Sequence, residues 1–228
     1  YFSKIYNNDK KKFNIYLDVY IKQISYLLKF LGININTVPV LDLRIKGMHK
    51  IIGDRAFSNN ANQTSFFGDL VIRKFHQNKI ATVIKHIPGH GRAKVDSHKA
   101  LPIVLKNKKT LIKKDFKAFK KKNSLFAMTG HILFKKIDAK YCTTHSKKVI
   151  KIIRDEIGFR NILITDDISM KALKLNLREN VKRSFIAGCN LVLHCNGNLR
   201  EMNIVAKNSP IISNLINKKT SQFFKIIS

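Results

Sequence analysis

Ala81-Thr82-Val83-Ile84-Lys85-His86-Ile87, running on into Pro88-Gly89-His90-Gly91, is the stretch on which the fold turns. A nearly unbroken apolar run of this length predicts a strand buried on both faces, as in a parallel sheet. A half-solvated antiparallel strand would alternate instead. The run closes on Lys85 and His86, and the proline and two glycines beyond it let the backbone turn sharply into a long loop.

The same pattern recurs on either side. Near-continuous apolar runs at 37–41, 125–128, 162–165 and 190–193 read as further buried strands. Between them lie helix-like stretches. Residues 18–31 carry Val19, Ile21, Ile24, Leu27, Leu28 and Leu31 close to the 3.6-residue period. Residues 64–75 and 111–119 read similarly, and 146–157 predicts a helix ended by Gly158. Strand alternating with helix implies an α/β protein with a parallel sheet. Potentially reactive residues follow the strand ends: Asp42, Lys85 with His86, Thr129 and His131, Asp166 and Asp167, and Asn196. A β/α barrel builds its site from the C-terminal ends of several strands, so this placement favours a barrel. A doubly wound sheet would want a Gly-rich phosphate turn after its first strand, and Val40-Leu41-Asp42-Leu43 is not one.

Composition bounds the rest. A hydrophobic fraction of 44% with 15 Phe is too apolar for a disordered chain, and 228 residues suffice for one large domain, 1–228, without a linker or repeat. No apolar run is long enough to span a bilayer, and residues 1–12 lack the order of a signal peptide. Cys142, Cys189 and Cys195, an odd set with no Cys-x-x-Cys pair, read as thiols in a reducing cytosol rather than a disulfide framework or structural zinc site. The net charge of +30 would attract nucleic acid, an anionic membrane or an acidic substrate. Its lysines are scattered among Ile and Asn along the whole chain, which reads as drift of the coding sequence rather than the focused patch that nucleic-acid binding requires.

Three segments carry chemistry. In the loop after residue 87, Asp96 and His98 sit two apart, close enough for the carboxylate to hold the imidazole and raise its pKa toward working pH for acid/base catalysis. Plain loop histidines or a zinc cluster are the competing readings, but His86, His90 and His98 lack the helical spacing of a common zinc site. In Thr165-Asp166-Asp167-Ile168-Ser169-Met170, Asp166 ends a strand and is the better nucleophile candidate, while Asp167 suits a capping or bracing role. In Gly53-Asp54-Arg55, Arg55 offers a planar fork for hydroxyl or carboxylate recognition, or else closes a turn by pairing with Asp54.

Taken together, Lys85-His86-Ile87-Pro88-Gly89-His90-Gly91, Asp96-Ser97-His98-Lys99 and the Thr165–Met170 run closely resemble the family 3 glycoside hydrolases, in particular their bacterial β-N-acetylglucosaminidase branch of peptidoglycan recycling. Pro39-Val40-Leu41-Asp42, Gly53-Asp54-Arg55 and the segment from Ala187 to Leu193 fall in the family's order, so the likeness covers about residues 16–198. The resemblance implies a retaining exo-hydrolysis in which Asp166 forms a glycosyl-enzyme intermediate and His98, oriented by Asp96, protonates the leaving oxygen and then activates water. Arg55, Lys85 and His86 match positions that hold N-acetylglucosamine. It implies a cytoplasmic monomer acting on GlcNAc-containing peptidoglycan fragments, with no metal, no cofactor and no specific nucleic-acid partner. Nothing in residues 1–36 resembles the family's first strands, and an eight-stranded barrel needs about 250 residues. The expectation is therefore a (β/α)8 barrel incomplete at its N-terminus. An inactive remnant, a sugar-binding protein and a phosphorylase are the alternatives.

Overall fold

Helices α1 (Phe2–Asn8) and α2 (Lys10–Phe30) precede β1 (Ile35–Asn36), α3 (Ala61–Gln77), β2 (Ala81–Ile87) and β3 (Ile103–Val104). Then come α4 (Lys108–Lys113), β4 (Phe126–Thr129), β5 (Leu133–Phe134), α5 (Lys147–Ile152) and β6 (Ile162–Asp167). The order ends with α6 (Leu177–Ala187), β7 (Leu191–Leu193), α7 (Leu199–Asn208) and α8 (Asn214–Ile227). The computed structural model describes residues 1–228 apart from Met48, Ile51 and Lys94. Among the described residues, five strands form one parallel sheet in the order β1-β2-β4-β6-β7, while β3 and β5 pair in a second. The larger sheet curls as a half-barrel, so the α/β barrel expected from the sequence, incomplete as anticipated, is the fold observed.

The two-residue period of the strands sorts their side chains. Ile84, Ala127 and Leu163 join a core with Ile72 of α3, Leu111 of α4, Phe116, Phe119 and Val149 of α5. Ala81, Val83, Phe126, Met128, Ile162 and Ile164 face the opposite way, where Phe223 and Ile226 of α8 cover them. Phe126 and Phe223 meet edge to face with ring centroids 6.1 Å apart. The same parity continues to the C-terminal ends of the strands. Lys85, registered against Met128, and Asp166, two residues past Ile164, therefore belong to the α8-covered side of the sheet, above the helix.

Several boundaries differ from the sequence-based expectation. Residues 37–41 form no continuous strand. Pro39 has no N–H to donate, and among the described residues the pairing of 37–41 with β2 survives as Lys85 N–H to Pro39 O (3.1 Å) and Leu41 N–H to Lys85 O (2.8 Å). The 111–119 helix divides: α4 starts earlier, capped by Asn107, and a 3-10 turn over Asp115–Phe119 follows it. The 146–157 helix ends in a π turn at Ile153–Ile157, closed by Gly158 at φ +80°. α2 and α3 begin before their apolar stripes because Asp9 and Asn60 accept backbone N–H groups at their starts.

Candidate active site

A cavity of about 330 Å3 opens at the C-terminal ends of β2, β4, β6 and β7, at the lower end of the ~300–1,000 Å3 usual for small-molecule sites. Asp166, His98, Arg55, Lys85 and His86, all singled out in the sequence, line it. Asp96 is not in the wall, but its Oδ1 accepts from both the His98 backbone N–H and Nδ1, each at 2.9 Å. The His98 side chain is 63% exposed, so it rides on an open loop rather than in a packed wall. Burial works to raise the Asp96 pKa, yet the hydrogen bonds from His98 outweigh it and hold the carboxyl below the usual range.

Asp166 is held from its own chain. The Asp167 N–H donates to Asp166 Oδ1 at 2.9 Å, and the other carboxylate oxygen takes no hydrogen bond among the described residues. Asp167 turns away, accepting from the Ser169 N–H (3.0 Å) and hydroxyl (2.7 Å), the bracing use its position suggested. Behind it lies a chain whose proton positions follow from geometry. The Asp167 carbonyl can only accept, so His131 Nε2 carries the proton of that 3.0 Å bond. His131 Nδ1 must then accept from Thr144 Oγ1 (2.7 Å), and Thr144 in turn from Thr129 Oγ1 (3.0 Å). All three side chains are fully buried, and burial pushes the His131 pKa down, which keeps the imidazole neutral.

Asp42 organises the opposite wall. Its carboxylate, 0% exposed, accepts His86 Nδ1–H at 2.7 Å and the His90 N–H at 2.6 Å, with the His86 N–H at 3.3 Å. Burial favours its protonation, but the His86 and His90 contacts prevail and its pKa is lowered. Burial also lowers His90 to about 4, so this cavity-lining ring is neutral at physiological pH. Burial and the Arg55 charge lower Lys85, against a smaller opposing pull from Asp166. Asp54 pairs with Arg44 at 3.1 Å.

Sequence reading missed three features. The Asp42–His86 bond joins residues 44 apart, beyond local inference. Ser97 and Cys195 also line the cavity. Cys195, read as an incidental thiol, lies two residues past β7 and could have been found by the strand-end logic that found Asp166. Among the described residues no group of three His, Cys, Asp or Glu side chains is placed to hold a metal ion.

Fold and site together define a β/α-barrel protein that presents a carboxylate, an imidazole and cationic donors to one small-molecule cavity. The chain belongs to glycosyl hydrolase family 3, whose N terminal domain matches residues 16–225. A beta-hexosaminidase of Psychromonas ingrahamii is 30% identical over 200 residues, covering 85% of this chain and 57% of that protein. One from Pasteurella multocida is 31% identical over 180 residues, covering 76% and 51%. The chain thus spans about half the length of the curated relatives it matches. Among solved structures, native NagZ of Neisseria gonorrhoeae superposes with a TM-score of 0.85 at 23% identity, over 100% of this chain and 66% of that one, a likeness of fold. A family 3 β-N-acetylglucosaminidase of Paenibacillus sp. str. FPU-7 gives 0.80 at 25% identity, over 92% and 42%.

Proposed function

We propose that the chain is the catalytic portion of a retaining exo-β-N-acetylglucosaminidase that removes terminal GlcNAc from peptidoglycan fragments. The observation that carries this reading is the meeting of Asp166 with His98, Arg55, Lys85 and His86 around one sugar-sized cavity. The beta-hexosaminidase relatives support the substrate class.

In this mechanism Arg55, Lys85 and His86 hold the sugar. The unbonded oxygen of Asp166 attacks the anomeric carbon as His98 passes its proton to the departing oxygen, giving a glycosyl-aspartate ester. His98 then takes a proton from water, which cleaves the ester with overall retention. Asp96 keeps the imidazole in the tautomer with Nδ1–H toward its carboxylate, so the proton exchanged is the one on Nε2. A histidine suits the task because its pKa lies near neutrality without the strong environmental shift a carboxylic acid needs. The carboxylates of a peptidoglycan fragment would also be gathered by the basic chain. The protein acts as a cytoplasmic monomer in this reading, with the whole chain, 1–228, as one domain.

A second reading, sugar binding without turnover, is favoured by one observation: among the described residues β1 and β7 each have a strand neighbour on one side only, so the sheet is open there. Hydrolysis of an aryl β-N-acetylglucosaminide by the native chain and by Asp166→Ala tests both. Turnover that falls by roughly four orders of magnitude in the variant supports the enzyme. No turnover from folded protein that still binds GlcNAc supports the second. Repeating the assay with added phosphate separates hydrolysis from phosphorolysis by the product, free sugar or sugar 1-phosphate.

A further inference from the structure

Behind the catalytic loop lies a second cavity, of about 470 Å3, that the proposed reaction does not use. Arg44, Lys46, Arg92, Lys113, Lys114 and Lys117 line it, and no Asp or Glu does among the described residues. The first turn of α3, at Asn60, Ala61 and Asn62, completes the wall and brings the positive end of a 17-residue helix to the same space.

We propose that this cavity is a binding site for a phosphate-class oxyanion. Scattered surface lysines alone would not support such a site in a chain of charge +30. Arg92 is different, because it is held in place. Its Nε donates to Asp115 Oδ2 at 2.8 Å, and that carboxylate is 2% exposed. The contact fixes the guanidinium plane from behind and leaves the two terminal nitrogens without a partner among the described residues, a preformed fork of the kind that takes two oxygens of one anion. Arg44 spends its charge on exposed Asp54, whereas Lys46, Lys113, Lys114 and Lys117 form no ion pair among the described residues. Several like charges around a concave space repel one another, and a multivalent anion relieves that repulsion while gaining directional donors from Arg92. Compositional drift adds exposed lysines; it does not anchor an arginine on a buried carboxylate beside a helix N-terminus.

The site is continuous with the first cavity through backbone. His90 lines the cavity of Asp166, and Arg92, two residues on, lines this one. Asp42 and Leu43 divide in the same way, Asp42 bonding His86 and Leu43 lining the oxyanion cavity. An anion bound here would therefore brace the root of the loop that carries His98.

Calorimetric titration of the native chain with inorganic phosphate, and separately with N-acetylglucosamine 6-phosphate, tests the proposal at ionic strength fixed by chloride. The expected result is saturable binding at one site. Affinity should weaken at least tenfold in Lys114→Gln/Lys117→Gln, both exposed, and also in Arg92→Gln. It should stay within twofold in Lys171→Gln/Lys174→Gln, which removes two exposed charges elsewhere. Tighter binding of the sugar phosphate would assign a phosphorylated sugar, and equal binding free phosphate; either supports the site. Absence of saturable binding, or equal weakening in both double variants, overturns it by reducing the effect to net charge. The readout is independent of glycosidase activity, so it stands apart from the functional reading above.

Discussion

At the scale of single residues, the fully buried carboxylate is the most consequential. Removing Asp42 leaves the His86 Nδ1–H and the His90 N–H buried without an acceptor. Asp42→Ala should therefore cost about 3–5 kcal/mol, the usual cost of breaking a buried charged pair from one side, read from urea unfolding. A loss under about 1 kcal/mol would mean that water replaces the carboxylate. His98 carries a sharper prediction. His98→Ala should lower kcat/KM, which reports formation of the glycosyl-enzyme, by about 10²–10⁴-fold for an unactivated alkyl glycoside and far less for an aryl glycoside with a good leaving group. Equal losses on both would remove His98 from the acid role. The split in legibility follows range. Asp166 and Lys85 were readable because each ends an apolar run, and Asp96–His98 because two residues separate them. The contacts Asp42–His86 and His131–Asp167, which join residues 44 and 36 apart, had no local signal.

At the scale of elements, apolar period located the strands and the stripes of the helices, and capping chemistry set where they start. Asn60, Asn107 and Ser146 each accept backbone N–H groups at a helix start, moving α3 and α4 earlier than their stripes alone suggested and opening α5 where the stripe placed it. Short α4 and the π turn after α5 were not legible, because packing rather than period breaks those helices. The loop that follows β2 depends on one close approach. A Cβ on Gly91 would lie 2.2 Å from the Leu43 carbonyl oxygen and 3.0 Å from the Leu43 nitrogen, both backbone atoms. Gly91→Ala must therefore push the loop away from residues 42–43, the segment that also presents Asp42. The expected outcome is a GlcNAc affinity reduced by about tenfold or more, since small misplacements of positioning groups carry that penalty. Unchanged sugar affinity would show that the loop root has room to shift.

At the scale of the whole molecule, buried imidazoles tie stability to pH. Burial lowers His90 and His145 to about 4 and lowers His131 as well, all below their unfolded value of 6.5. Between those values the unfolded chain binds more protons than the folded one, so stability falls as pH drops through that window. The lowered carboxyls of Asp42 and Asp96 act at the acid end: their contribution is present above 3.8 and is lost as pH falls through their folded values. The melting temperature should decline from pH 7.5 to 4.5, and His145→Gln should flatten the slope. A melting temperature constant across that range would contradict the burial of these rings. Charge pattern was legible at this scale and architecture in outline, but the docking of α8 on the sheet was not, since an amphipathic stripe does not name the surface it meets.

That docking gives the molecule a property of its own. Residues 209–213 lead to α8 by way of Ile211 and Ile212, which are 95% and 62% exposed, so the connection is open to a protease while Phe223 and Ile226 stay seated on the strands. α8 is in this sense a tethered guest, kept in place by a high effective concentration as much as by its contacts. A chain nicked at the tether should hold together as a two-piece complex at high protein concentration and come apart on dilution.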